Sequence, residues 1–473
     1  MFSAVGEREN HATVRHVAKR KTVAKIVQRL NIPPNWKAKN MSNTTDYYCK
    51  QTAAPVHAVV TPPGSKSITN RALLCAALAE GTSHLSGVLD SEDTQVMIEA
   101  LRQLGIPVTR HLETAALKIT GDGGNLPVKN ADIYVGNSGT TARFLTAMLA
   151  TTHGGNYRIY GKPRMHERPI RDLCDALRSL GADVRTESGN GCPPVLVGPN
   201  GTLSGETRIS GQISSQFLSA VLMAAPVSPD GITLHVEGEL VSKPYIKMTL
   251  EVMNRFGGTV ETPGDFSRFH IPVRSKYFPR NYAIEPDASA ASYFFAAAAV
   301  TGGSVTVQGL TRESLQGDVE FCTALQAMGC DVEYGSGFIK VAGKPLHGIT
   351  IDMNAVSDTV MTLGAAALFA EGATQITNVA HIRHKETDRI AALACELRKL
   401  GADVEEKEDG LKITPVPPLH GAVIDTYDDH RMAMSFAVAG LKIPDVVIRN
   451  PDCTAKTYPG FFTDWEKMIR TGI

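Results

Sequence analysis

Five times this chain runs an amphipathic helical stretch into a glycine and then into a short apolar strand. The junctions are Leu104-Gly105-Ile106-Pro107-Val108, Leu180-Gly181-Ala182-Asp183-Val184, Phe256-Gly257-Gly258-Thr259-Val260, Met328-Gly329-Cys330-Asp331-Val332 and Leu400-Gly401-Ala402-Asp403-Val404. Glycine just past a helix takes the left-handed cap that other residues resist. Successive glycines lie 76, 76, 72 and 72 residues apart, and self-similarity at a steady period marks a repeated supersecondary unit. One more step of 71 reaches Gly472, after the helix-like residues 462–468. Six units are therefore expected, divided three and three into two similar lobes. The sixth stops where its strand should begin, and the N-terminal run Val56-His57-Ala58-Val59-Val60 is expected to complete it. That placement makes the chain cross between lobes near Pro62-Pro63-Gly64 and again near residues 282–287. Ligands commonly settle between lobes.

A chain of 473 residues is long enough for two or more domains, each with its own core. Its formal net charge of zero hides an asymmetry: residues 1–40 hold nine Lys/Arg and two Glu, leaving residues 41–473 at −7. That sign, with only 6% aromatic residues, excludes a general nucleic-acid binder. Any cationic site in the main body must be local and serve a small anion. The eight cysteines form no C-x-x-C pair and no metal-like spacing, the usage expected of buried thiols in a reducing compartment. The longest apolar runs, such as Phe294 to Val300, are too short to span a bilayer. Glu7, Arg8 and Glu9 interrupt any N-terminal signal, so a cytoplasmic protein is expected. Residues 1–50 stand outside the repeat. Residues 18–30 have the pattern of a basic amphipathic helix stopped by Pro33-Pro34. The segment is expected to be a flexible, dispensable extension, with Met41 as a candidate start. The alternative is a transit peptide, against which Glu7, Glu9 and the low serine count argue.

Chemistry-bearing residues cluster at matching places in the repeats. Lys385-Glu386-Thr387-Asp388-Arg389 packs two cations and two carboxylates just before the apolar run Ile390-Ala391-Ala392-Leu393. If it opens that helix, Lys385 and Arg389 share a face, where free N–H groups favour an anion. Gly64-Ser65-Lys66-Ser67 resembles the end of a P-loop but lacks its glycine spacing, since Ser65 and Thr61 stand where glycines are needed. What remains is a loop opening a helix with Lys66 and Arg71 near its positive end. Similar loops surround Gly136 to Arg143, Pro163 to Pro169 with two arginines, Gly211 to Phe217, Asp428-Asp429-His430-Arg431 and Thr454-Ala455-Lys456-Thr457. Each alone reads as an ordinary turn or cap. Their recurrence in successive units points to one shared anion site.

Pro-Gly-Ser-Lys-Ser-x-x-Asn-Arg, Gly-Asn-Ser-Gly-Thr, Pro-Arg-Met-x-Glu-Arg-Pro-Ile, Ser-Ser-Gln-Phe, Ser-Lys-Pro-Tyr, Lys-Glu-Thr-Asp-Arg, Asp-His-Arg-Met-Ala-Met and Cys-Thr-Ala-Lys-Thr occur in that order. Together, over about residues 55–470, they resemble the 5-enolpyruvylshikimate-3-phosphate synthase family. The resemblance implies an α/β fold: a two-lobed inside-out α/β barrel with three βαβαββ units per lobe. The first lobe would be residues 65–283, on the shikimate 3-phosphate side. The second would be residues 51–64 and 284–473, carrying the phosphoenolpyruvate site and the catalytic carboxylates.

The implied reaction moves the enolpyruvyl group of phosphoenolpyruvate to the 5-hydroxyl of shikimate 3-phosphate and releases phosphate. It needs no metal and no organic cofactor, and the implied protein is a monomer with these two small molecules as partners. By resemblance, Lys66, Ser67, Arg71, Ser214, Ser215, Gln216, Ser242, Tyr245, Asp358, His381 and Lys385 would hold shikimate 3-phosphate. Phosphoenolpyruvate would fall to Lys66, Asn137, Gly139, Thr140, Arg143, Arg164, Gln216, Lys385, Arg389, His430, Arg431 and Lys456. Asp358 matches the base that takes the 5-hydroxyl proton, although by itself it reads equally as an N-cap before Val360. Glu386 matches the acid that protonates the methylene carbon, and Lys66 completes the catalytic set. Lys385 and Arg389 should depress the Glu386 pKa, which works against donation unless bound anions offset it.

Two residues depart from the family pattern. His381 stands where Asn is frequent, and Phe144 where many members have proline. Gly139 keeps the small residue that leaves room for glyphosate. The sister family that uses UDP-N-acetylglucosamine typically carries Lys-Asn in the first loop and a cysteine in a later one. Lys66-Ser67 and the cysteine-free Thr152-His153-Gly154-Gly155-Asn156-Tyr157 set this chain apart from it.

Overall fold

Gly105, Gly181, Gly257, Gly329 and Gly401 all hold positive φ, between 88° and 114°. Each follows a helix: Glu92–Gln103, Arg171–Ser179, Lys243–Arg255, Phe321–Ala327 and Arg389–Lys399. A side chain there would be strained, so the five glycines end five equivalent helices. The computed structural model describes residues 45–111 and 115–471. Gly472, Met41 and the expected helix over residues 18–30 lie outside them.

The repeat is visible in the strand pairing. Six of the seven sheets among the described residues begin with a parallel pair and continue antiparallel. Asn281–Ala283 lies parallel to Glu80–Ser86, which runs antiparallel to Ala116–Asp122, and that to Val108–His111. His57–Val60 lies parallel to Ser304–Gln308, followed antiparallel by Phe338–Ala342 and Asp331–Gly335. The remaining parallel pairs are Asn130–Tyr134 with Asn156–Tyr160, Gly205–Ser210 with Ile232–Glu237, Thr350–Asp352 with Thr374–Thr377, and Val423–Ile424 with Val447–Ile448.

One expectation is corrected here. His57–Val60 does not complete the last unit; it is the first, parallel strand of the sheet containing Ser304–Gln308. The last sheet takes its antiparallel strand from Tyr47–Tyr48, which pairs with Val447–Ile448. What that sheet lacks is an antiparallel strand, whereas His57–Val60 arrives parallel. Tyr47 and Tyr48 fall within the expected 1–50 extension, and Lys50 is tied to Glu466 at 2.7 Å.

Buried apolar side chains form two clusters with no shared member. One runs from Ile68 to Ile284; the other takes Val56 and then Ala288 to Met468. At their centres lie helices buried on every side. All residues of Gly139–Ala150, Ala288–Thr301 and His430–Ala439 are buried, as expected of helices surrounded by protein. Strands such as Ala116–Asp122 and Phe338–Ala342 instead alternate between buried and more exposed positions, covering a core on one face. Each large side chain so buried contributes about 1.5–3 kcal/mol. No helix among the described residues is long and apolar enough to cross a membrane.

Candidate active site

Five helices begin around one place because a short polar side chain caps each of them. Ser65, Ser138, Ser214, Asp388 and Asp429 accept from the backbone N–H of Ile68, Thr141, Gln216, Ala391 and Arg431. An N-cap must be extended while the next residue is helical, so the cap sets where each first turn starts. Those first turns present Lys66, Gly139 with Thr140, Ser215, Arg389, and His430 with Arg431. Asp388 corrects the sequence reading of its own segment: with Asp388 as cap, the helix opens at Arg389, and Lys385 lies in the turn before it. Lys385 and Arg389 therefore do not share a helix face. They meet at Asp358 instead.

Arg389 organises the centre. Fully buried, it donates from NH1 to Asp358 Oδ1 at 3.0 Å, from NH2 to Glu386 Oε2 at 2.8 Å and from Nε to Asp429 Oδ2 at 2.8 Å. Asp358 also accepts from Arg431 NH2 at 2.7 Å, with Lys385 Nζ 3.9 Å away. The N-cap alternative for Asp358 is excluded: it lies within the 3-10 turn Asn354–Thr359, and the helix after it has no side-chain cap. Glu386 lies 3.7 Å from Lys456 and 4.0 Å from Arg168.

Burial pushes the Asp358 carboxyl up, but Arg431, Lys385, Arg389 and Lys66 outweigh it and hold it well below the usual carboxylate range. Burial acts the same way on Glu386, and Arg389, Arg168, Lys456 and His430 pull it well below that range. The depression of Glu386 is in the expected direction. Arg389 leads it, joined by Arg168 and Lys456 from other elements.

Two cavities meet at this point. The first, of about 290 Å³, is lined by five cations (Lys66, Arg168, Lys385, Arg389 and Arg431) against three carboxylates (Asp93, Asp358 and Glu386), with Gly139, Thr140 and Gln216. The second, of about 300 Å³, is lined by Arg143, Ser214, Phe217, His381 and His384, and shares Arg168, Gln216 and Lys385 with the first. A space walled this way favours a compact anion.

The other expected residues stand close behind these walls. Lys456 donates to Asp93 Oδ1 at 2.6 Å and to the Asn137 carbonyl at 2.8 Å. Arg71 is held by Thr249 Oγ1, the Ser67 carbonyl and the Tyr245 carbonyl, 5.3 Å over the Phe144 ring. Ser215 is buried in its helix start. Ser242, in a left-handed conformation, donates its backbone N–H to Asn354 Oδ1, and its hydroxyl lies 3.3 Å from His381 Nε2. Burial and then Lys385 push the His381 imidazole down to about 3, so it is neutral. Burial and Arg431 also hold the His430 imidazole well below its ordinary range, and its ring nitrogens are buried without hydrogen-bond partners.

Arg164 lines neither cavity. It donates to the backbone carbonyls of Glu386 and Lys385 at 3.1 and 3.3 Å and pairs with Glu167. The wall position belongs to Arg168, which the sequence reading did not single out. The signal was Pro169, since a residue before proline is pushed into extended backbone. Arg168, at φ −83° and ψ 129°, leaves the 3-10 turn Pro163–Glu167 and points its guanidinium at Asn137 and Glu386. Asp93, which ties Lys66 and Lys456 together, was also missed.

A family model described as EPSP synthase (3-phosphoshikimate 1-carboxyvinyltransferase) matches residues 50–465. The chain belongs to this family. A 3-phosphoshikimate 1-carboxyvinyltransferase of Nostoc sp. is 51% identical over 416 residues, which is 88% of this chain and 97% of that protein. One from Shewanella amazonensis is 48% identical over 418 residues, with the same shares covered. A solved EPSP synthase from Acinetobacter baumannii superposes with a TM-score of 0.75 at 27% identity, covering 90% of this chain and 98% of the other. The family match thus takes in nearly all of both cores and every residue that lines the cavities.

Proposed function

We propose that these two adjoining cavities bind phosphoenolpyruvate and shikimate 3-phosphate and transfer the enolpyruvyl group to the 5-hydroxyl, releasing phosphate. One observation carries the reading: Asp358 and Glu386 hang from opposite arms of the single guanidinium of Arg389, in a space where cations outnumber carboxylates. The two substrates bring two phosphates and two carboxylates, about −5 to −6 in all near neutral pH. In our reading phosphoenolpyruvate takes the first cavity, held by Lys66, Arg168, Arg389 and Arg431, with Lys456 behind the wall. Shikimate 3-phosphate takes the second, reaching Ser214, Gln216, His381 and Lys385, with Ser67, Arg71, Ser215, Ser242 and Tyr245 fixing the walls.

Asp358, ionised, removes the 5-hydroxyl proton as the oxygen attacks the enol carbon, while Glu386 delivers a proton to the methylene carbon. The tetrahedral intermediate then loses phosphate and a methyl proton, and the enol ether is restored. Glu386 starts as a weak proton donor because three cations surround it. A phosphate and a carboxylate bound against Arg168, Arg389 and Lys456 neutralise that field and raise its pKa toward the working range. Water exclusion on closure adds to the effect.

The same reading takes the two cores as two lobes, residues 65–283 and residues 47–64 with 284–473, the Tyr47–Tyr48 strand belonging to the second, each an inside-out barrel of three units, in a cytoplasmic monomer. The all-buried helices and one-face-buried strands support the barrel arrangement.

The test is phosphate release from purified protein given phosphoenolpyruvate with either shikimate 3-phosphate or UDP-N-acetylglucosamine. Release that requires shikimate 3-phosphate is expected. Release with only the sugar nucleotide would move the site to the sister reaction.

A further inference from the structure

Asp318 is a buried carboxylate to which the steps above assign no task. It lies in the 3-10 turn Gly317–Glu320. Its Oδ2 accepts from Ser289 Oγ and from Tyr245 Oη, the latter at 3.1 Å. On its other side Tyr245 Oη lies 3.2 Å from Asp358 Oδ2. A phenol has one proton to donate, so two carboxylates compete for it. Burial, Asp318 and Asp358 push the Tyr245 hydroxyl well above its ordinary range, and the proton stays on the phenol.

This contact depends on close packing. A Cβ on Gly317 would collide with the ring of Pro244, the neighbour of Tyr245 in helix Lys243–Arg255. Only glycine lets the turn approach near enough for Asp318 to reach the phenol. The other oxygen, Oδ1, is buried with no hydrogen-bond partner, a costly arrangement that calls for a functional reason. Tyr245 packs against the first core, whereas Val319 and Val356, beside Asp318 and Asp358, belong to the second.

We propose that Asp318 is a positioning residue for the transfer reaction: by drawing the Tyr245 proton to itself, it leaves Asp358 the stronger base. The proposal rests on Asp358 being that base. Asp358 needs such help, because four cations depress it and a strongly depressed carboxylate takes up a hydroxyl proton poorly. Losing a hydrogen bond to its ionised form raises its pKa.

The arrangement switches with pH. The titratable and charged groups facing Asp318 are Asp358, Tyr245, Arg431 on helix His430–Ala439 and Asp287 at the cap of helix Ala288–Thr301. Burial first, and then Asp358, push Asp318 up to about 6, against Ser289 and Arg431. Above that pH, charged Asp318 holds the phenol proton. Below it, protonated Asp318 donates to the phenol oxygen, the phenol proton turns to Asp358, and the base weakens.

The experiment is kcat at saturating substrates between about pH 5 and 8 for the wild type, Asp318→Asn, Tyr245→Phe and the double variant. Wild-type kcat should step down by about tenfold as pH falls through about 6, whereas Asp318→Asn should stay on the lower plateau throughout, with both KM values within about twofold. In the Tyr245→Phe background, Asp318→Asn should change kcat by less than about twofold. An unchanged step in Asp318→Asn, or fully additive losses in the double variant, would overturn the proposal. Should Asp318→Asn not fold, Tyr245→Phe decides alone: a flat profile supports the relay of influence, and a persisting step overturns it. Asp358→Asn separates the two readings. If it keeps turnover, Asp358 is not the base and both fail; if it is inactive while the cycle is additive, only the role of Asp318 fails.

Discussion

In the proposed mechanism one side chain, Arg389, prepares two proton transfers. A guanidinium is planar and forked, so it can hold Asp358 and Glu386 at fixed separation while Asp429 locks its third nitrogen. A lysine could not make all three contacts in one plane. Gly139 acts at the same scale. A Cβ there would run into the Arg168 guanidinium, the flexible end of a side chain that can retreat without disturbing the core. We therefore expect Gly139→Ala to fold normally and to lose phosphoenolpyruvate binding selectively. Its KM for phosphoenolpyruvate should rise about tenfold, a loss of about 1.4 kcal/mol, while that for shikimate 3-phosphate moves less than about twofold. Glyphosate, expected from the family resemblance to compete for the same space, should weaken in parallel. Steady-state kinetics with each substrate varied in turn would check this, and equal effects on both KM values would contradict it.

Between residues and the molecule, local signals in the chain were readable and pairing decisions were not. Helix ends at Gly105, Gly181, Gly257, Gly329 and Gly401 could be read because a positive φ selects glycine whatever surrounds it. The Ser and Asp caps of the site helices, recognisable in the same local way, brought most of the expected cations together. Which N-terminal strand closes the last sheet could not be read. Tyr47–Tyr48 and His57–Val60 are both short apolar runs, and only the chain path separates an antiparallel partner from a parallel one. Arg168 was hidden by an arginine four residues away, and Asp93 and Asp318 by the ordinary look of an acidic residue in a helical turn.

Phe144, a departure from the family's proline, became clear only in context. It is fully buried inside helix Gly139–Ala150, and the Arg71 guanidinium lies over its ring. Phe144→Ala should cost about 3–5 kcal/mol of stability. Loss of the cation–π support for Arg71 should also raise KM for shikimate 3-phosphate about fivefold. Urea melts and acceptor kinetics would show both, and an unchanged acceptor KM would detach Arg71 from that site.

Across the whole molecule, the site belongs to neither core alone. Lys456 and Glu386 come from the second half of the chain, yet Lys456 is bound to Asp93 and Asn137 from the first. Arg164 reaches across to the carbonyls of Lys385 and Glu386, and Ser242 to Asn354. In the proposed mechanism, a constellation drawn from both cores excludes water and gathers its cations at the same moment. On that mechanism, carboxylates so strongly depressed exchange protons in a closed, anion-filled space. The most direct test is phosphate release by Asp358→Asn and Glu386→Gln at saturating phosphoenolpyruvate and shikimate 3-phosphate, with binding of both followed by calorimetry. Turnover should fall by about 10³-fold or more in each variant while both substrates still bind. Turnover within about tenfold of the wild type in either variant would contradict the assignment of that carboxylate.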